Sequence, residues 1–199
     1  MFYIGDIPAV PLVVDLPDDG HTWTGATATM TRPDGTTAAA ASTTLDLPSL
    51  EVEVIPPGPL TLAGVHSVAV TLTDAGAGTS RLPRLRFVVE DEASGWHTIA
   101  SASEEWADAE NIAEPVLFEL LDIARGDVLA YASVPAEDEA VPVRYRKGQI
   151  MQARNTWNAA RVDPATGGDG EESFIIRPFP LDWAIRQVLR PRTGIPVIG

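Results

Sequence analysis

The 199-residue chain has no cysteine, which removes disulfide scaffolds and thiolate metal or redox sites. Its three histidines, His21, His66 and His97, lie far apart in sequence, so a histidine-based metal site has little to draw on. Basic residues are scarce. There are 14 Lys and Arg against 28 Asp and Glu, a formal net charge of −14. A protein that grips nucleic acid by counterion release needs a basic surface, so this balance argues against a DNA-wrapping role. No apolar run approaches the roughly 18 residues needed to span a membrane. Residues 1–6, Met-Phe-Tyr-Ile-Gly-Asp, lack the basic start of a signal peptide. Neither a dinucleotide fingerprint nor a P-loop occurs, so nucleotide chemistry has no support. What is present is an apolar fraction of 45%, enough for a core and too high for wholesale disorder. The length suits one large domain or two small ones.

The first 90 residues read as β. Residues 9–16 are apolar and β-branched but carry Pro11, which suits an edge strand. Residues 22–31 are rich in Thr and end in Arg32-Pro33-Asp34-Gly35, a turn with Pro and Gly in the favoured places. Residues 50–55 and 65–73 alternate apolar and polar, the period of a strand with one wet face. Residues 56–59 break the first of these, and Ala75-Gly76-Ala77-Gly78 is a hairpin loop before a further strand over 82–90. Residues 38–41 read as strand or loop despite their alanines. Six or seven short strands with turns between them predict an antiparallel β-sandwich of immunoglobulin-like type.

From about Ser101 the period becomes helical. Ser101 or Ser103 is a plausible cap, with Glu104 and Glu105 expected in a first turn. Leu117, Leu120, Leu121, Ala124, Val128 and Tyr131 recur at spacings of three and four after Pro115. A third helix is predicted over 143–160 with an apolar stripe of Val143, Ile150, Ala153 and Trp157. A glycine-rich loop follows at 164–172, then an extended piece at 174–176 and a last helix bearing Leu181, Ala184, Ile185, Val188 and Leu189. Residues 191–199 should be extended. The fold expected is α+β, with a β-sandwich at 1–92, a helical domain at 93–190 and a docking tail at 191–199.

Charge is uneven. Residues 91–142 hold 13 acidic residues and one basic; residues 143–162 hold five basic and none acidic. On the third helix Arg144, Lys147, Met151, Arg154, Asn158 and Arg161 fall on one side. A solvated face explains this most simply, pairing with the acidic segment, within the chain or on a second copy, is the next reading, and a phosphate-binding stripe is the third, disfavoured because the rest of the chain would repel DNA. Asp108, Glu119 and Asp122 would supply the acidic side of such an interface, with Arg144, Lys147, Arg154 and Arg161 the basic side. The carboxylates match no metal-ligand spacing, and Asp169-Gly170-Glu171-Glu172 lacks the alternation of a calcium loop. His97 has serines nearby but no nucleophile-elbow pattern, so it reads as a packed histidine between domains. No catalytic, cofactor or metal residues are expected, and no cofactor. Trp96, Trp106, Trp157 and Trp183 read as core anchors of the helical half, one or two of them as interface anchors.

Gly95-Trp96-His97-Thr98, Glu105-Trp106-Ala107-Asp108-Ala109-Glu110-Asn111-Ile112, residues 145–154 and residues 177–183 together resemble the head-to-tail connector (adaptor) proteins of long-tailed bacteriophages of actinobacterial hosts. The resemblance covers residues 95–192 and rests on order and spacing. It implies a non-enzymatic virion protein at the head-tail junction, in a ring of twelve copies below the portal. Its partners would be further copies of itself, the portal protein, and a stopper or tail terminator, with the β domain touching the major capsid protein. DNA would pass through without sequence-specific binding, and no membrane is involved. By the same analogy Leu181, Trp183, Ile185, Val188, Leu189, Ile195, Val197 and Ile198 would dock on the portal, and the loop with Asp169, Glu171 and Glu172 would face the channel or the next ring. The alternatives are a tail or baseplate protein whose β domain binds host surface or carbohydrate, and a hydrolase or nuclease acting on DNA ends.

Overall fold

Alternation of β-branched and polar residues sets the two central strands of a β unit, and 3.6-residue periodicity sets a separate helical unit. The computed structural model describes residues 1–17, 20–47, 49–132, 134–136, 139–161 and 181–190. The chain is α+β and divides into Met1–Glu92, made of sandwich-like sheets, and Ala93–Gly199, made of helices.

The β unit contains β1 (Phe2–Tyr3), β2 (Leu12–Asp15), β3 (Trp23–Thr31), β4 (Thr37–Ala39), β5 (Ser42–Asp46), β6 (Glu51–Ile55), β7 (Gly64–Asp74), β8 (Thr79–Arg81) and β9 (Leu85–Glu90). One sheet runs β1-β9-β7-β3-β4, with β8 also paired to β7; the other runs β2-β6-β5. Val68, Val70 and Leu72 of β7 meet Met30, Val52, Val54, Leu60 and Phe87 in one buried cluster. Complete burial of a side chain of this kind contributes about 1.5–3 kcal/mol. Between β4 and β5 the Ala40 N–H donates to Ala28 in one sheet and the Ala41 N–H donates to Ile55 in the other. The chain thereby passes from sheet to sheet on that flank. The turn after β3 closes through the Gly35 N–H on the Arg32 carbonyl at 2.9 Å, with Gly35 at φ +82°.

Three details differ from expectation. The strand predicted over 9–16 shrinks to β2, because Pro8 and Pro11 have no N–H for a ladder. The strand predicted over 82–90 begins only after Pro83, as β9, and the short β8 that precedes it follows the expected hairpin loop. The two-residue β1, parallel to β9 through Phe2↔Val89 and Tyr3↔Glu90, carries too short a pattern to read.

The helical unit contains α1 (Ile99–Glu105), α2 (Glu114–Tyr131), α3 (Val143–Arg161) and α4 (Trp183–Leu189). Thr98 caps α1, and Ser101 is its capping-box partner. Ser101 is thus the third residue of the helix and not its cap, and Glu104 and Glu105 lie in the last turn. Pro115 sits in the first turn of α2, and Asp182 caps α4 by accepting from the Ala184 N–H at 3.3 Å. Trp96, Val128, Tyr145, Leu181, Ile185 and Leu189 form one buried cluster. Gly148 permits this: a Cβ there would stand 2.8 Å from Leu189 Cδ2. The expected loop at 164–172, the extended piece at 174–176 and the tail lie outside the described residues.

Candidate functional site

Alpha-helix α3 separates its two faces sharply. Tyr145, Gly148, Gln149, Ile150, Gln152 and Ala153 are buried. The apolar stripe expected from sequence is rotated from this: Val143 is 81% exposed and Trp157 only half-buried, while two glutamines take core positions. The other face carries Arg144, Lys147, Arg154, Asn158 and Arg161, all exposed, with Met151 half-buried among them. Among the described residues no ion pair involves any of these four cations. Two of them lie over α3's own aromatic rings: Arg144 is 5.2 Å from the Tyr145 centroid and Arg161 is 5.3 Å from that of Trp157. Such contacts are worth about 0.5–1 kcal/mol at exposed sites. The first turn of α3 contains no acid, so Arg144, Arg146 and Lys147 stand against the positive end of the helix dipole. Each such placement costs about 0.3–1 kcal/mol.

The buried glutamines hold the helices in register. The Gln149 Oε1 accepts the His97 backbone N–H at 3.1 Å, and its Nε2 donates to the Leu121 carbonyl at 3.0 Å. One side chain therefore ties the start of α1, the middle of α2 and α3. The Gln152 Nε2 donates to Asp127 Oδ2 at 2.8 Å. Desolvation raises the Asp127 pKa, and this hydrogen bond opposes the rise. Sequence reading missed all three residues. For the two glutamines the signal was polar side chains at the helix positions beside Tyr145 and Ile150.

His97 is buried, with Nδ1 3.0 Å from Ser101 Oγ and Nε2 3.8 Å from Glu105. Burial pushes its pKa down, Arg146 and Lys147 add to that, and Glu105 opposes. Ser101 Oγ also accepts the Thr98 N–H at 3.0 Å, so this hydroxyl belongs to the helix cap. His66 is buried in the β unit, stacked on Phe87 at 5.1 Å, and desolvation lowers its pKa as well. His21 lies 3.7 Å from Asp74, whose Oδ1 accepts from the N–H groups of Gly76 and Gly78. Among the described residues no group of three or more His, Cys, Asp or Glu is placed to hold a metal ion, and no helix is long and apolar enough to cross a membrane.

The residues expected to dock through the last helix are divided. Leu181, Ile185 and Leu189 are taken up in the unit's own core and Val188 is half-buried, which leaves Trp183 exposed at 66%. Trp96 and Trp106 are buried core anchors as expected, whereas Trp183 is not. Asp108, Glu119 and Asp122 are exposed. Ile195, Val197, Ile198, Asp169, Glu171 and Glu172 lie outside the described residues.

No family model matches the chain, and no curated protein matches it. Among solved structures it is similar to CopC from Methylosinus trichosporium OB3b, at 10% identity and a TM-score of 0.27, over 37% of this chain and 71% of that one. It is also similar to PcoC, a copper resistance protein from Escherichia coli, at 17% identity and a TM-score of 0.30, over 42% of this chain and 85% of that one.

These findings correct the connector reading. The two solved structures named above are CopC and a copper resistance protein and not neck proteins, and no family or curated relative ties the chain to a phage. The ring of twelve, the portal, stopper, terminator and capsid partners and the virion location are withdrawn with it, as is the tail or baseplate alternative. The physical reason is visible in the motifs that carried the resemblance. Trp96, His97, Trp106, Ala109, Ile112, Tyr145, Ile150, Ala153 and Leu181 are all buried. Their order and spacing record the packing of helices, which any small bundle needs, and name no function.

Proposed function

We propose that the chain is a non-catalytic protein-binding protein whose helical unit recognises its partner through α4. The observation that carries this is Trp183. It is 66% exposed, against 8% for Trp96 and 2% for Trp106. A tryptophan left in water forfeits a large apolar burial, and tryptophan is the residue most enriched in binding hot spots. It stands at the first turn of a helix whose opposite side is fixed by Ile185 and Leu189, so the ring is presented on a rigid element. The β unit is read as an immunoglobulin-like sandwich serving as a separate module, on its two-sheet order and the passage between sheets at residues 40 and 41. Copper binding is not carried over from the copper resistance protein. His21 with Asp74 is a two-residue pair, and the carboxylate is committed to the turn it caps.

The test is a photo-crosslinking residue placed at position 183 in the full chain, in cells of the source organism. One discrete adduct, suppressed by excess wild-type protein and not by excess Trp183→Ala protein, supports the reading. No adduct, or equal competition by both proteins, overturns it. The Trp183→Ala protein should keep its stability within about 0.5 kcal/mol, as an exposed substitution does.

A further inference from the structure

We infer that the exposed face of α3 is a docking seam for an acidic helix of a separate protein. The inference rests on the reading of the helical unit as a binding unit, and it uses a different face from Trp183. Positions 144, 147, 151, 154, 158 and 161, all exposed except the half-buried Met151, advance by three, four, three, four and three residues. That is the spacing of a straight helix-on-helix seam. Along the 19 residues of α3 the seam runs about 28 Å. Arg144, Lys147, Arg154 and Arg161 place four cations on it. Met151 and Asn158 lie between them and offer an apolar and an amide contact.

Stability does not explain this face. The cations near the N-terminal end oppose the helix dipole, and none of the four has an ion-pair partner among the described residues. Charge complementarity selects an anionic occupant. The net −14 of the chain does not prevent this, because fields are screened within about 8 Å at physiological salt. Only the surface near the seam is felt by a partner lying along it.

The spacing selects a helix over nucleic acid. Lys147, Arg154 and Arg161 follow one another at about 10.5 Å along the axis. A DNA strand presents a phosphate at about every 3.4 Å, so most of its phosphates would meet no cation here. Carboxylates that recur every seven residues within a three-four pattern on a partner helix would meet Lys147, Arg154 and Arg161 at the same step of about 10.5 Å, with the positions between them facing Met151 and Asn158. Arg144 and Arg161 are already held by Tyr145 and Trp157, so less side-chain freedom is lost on binding.

The test uses the full chain and fluorescence anisotropy with three probes. One is a helical Ala/Glu peptide with glutamates at alternating three- and four-residue spacing; the others are its scrambled isomer and a single-stranded DNA of equal charge. The spaced peptide should bind about tenfold or more tightly than either control. Its affinity should fall at least about tenfold between 50 and 300 mM salt, as an interaction of exposed charges does. The Lys147→Glu, Arg154→Glu variant, whose helicity is checked by circular dichroism, should lose binding about tenfold or more, and Trp183→Ala should retain it. Equal binding of the scrambled peptide or of DNA overturns the inference. So does self-association abolished by the same double variant, because the seam then belongs to a second copy. No binding of the spaced peptide also overturns it, and leaves the crosslinking result at Trp183 unaffected.

Discussion

Replacing Gln149 by Leu removes a side chain that joins three helices while keeping nearly the same volume. The His97 N–H loses its acceptor at 3.1 Å, and the Leu121 carbonyl loses a donor at 3.0 Å. The two losses differ in weight. Leu121 lies inside α2, and its carbonyl keeps the bond of the helix ladder. His97 precedes α1, and its N–H has no ladder to return to. Two hydrogen bonds at about 1 kcal/mol each, plus about 1–3 kcal/mol for the buried N–H left unmade, give about 3–5 kcal/mol. The extra apolar burial of leucine offsets about 1–2 kcal/mol of this. At the middle of these ranges the expected net loss is about 2–3 kcal/mol. In urea, with a slope of about 2 kcal/mol per M, the midpoint of the helical signal at 222 nm should fall by about 1 M or more at unchanged slope. The His97 amide should also exchange faster with solvent. A midpoint within about 0.2 M of wild type, or a His97 amide equally protected, would refute the assignment of Gln149 as the tie.

Two further outcomes follow from the geometry. His66 and His97 are both held neutral by burial, below the ordinary value of 6.5. The unfolded chain therefore takes up their protons first, and the stability they provide is lost as pH falls below 6.5 toward their folded values; urea midpoints at pH 5.5 should lie below those at pH 7.5, and a flat or rising profile contradicts this. Gly64 has φ +136°, and a Cβ there would come within 2.6 Å of the Pro33 ring; Gly64→Ala should cost about 2 kcal/mol or more in the β unit, and an unchanged melting temperature would contradict the close approach.

Much of the architecture was legible because burial on one face imposes a period. The alternation over 51–55 and 65–73 became β6 and β7, and the three-four spacing after Pro115 became α2. The Asp34-Gly35 and Ala75–Gly78 turns carried their own chemistry: Asp34 accepts from Thr36 and Asp74 from Gly76 and Gly78. What was illegible depended on the third dimension. The buried side of α3 is made partly by Gln149 and Gln152, whose side chains reach hydrogen-bond partners 25 to 52 residues away. A periodicity built on hydrophobicity rotates the helix to avoid them. The stripe on α4 likewise read as a docking face, because sequence alone does not say whether an amphipathic helix covers its own core or a partner's. The basic face of α3 was visible from spacing, and its exposure needed the fold. The resemblance to connectors failed for the same reason: tryptophans and small residues at bundle spacings are demanded by packing.

The three-stranded sheet β2-β6-β5 has a consequence for how this protein behaves in a crowded solution. Asp15 and Asp46 stand directly opposite Glu51 on either side of it, so three carboxylates line up across the sheet on one face. Like charges facing one another weaken a sheet, and burial of Val52 and Val54 on the reverse side offsets that. Because Asp15 and Asp46 belong to the two outermost strands, any stray strand that added to either margin would have to bring its own side chain beside a carboxylate already repelled by its neighbour. The row acts as a fence: it spends a little cohesion within the fold to keep the open margins from recruiting copies of themselves.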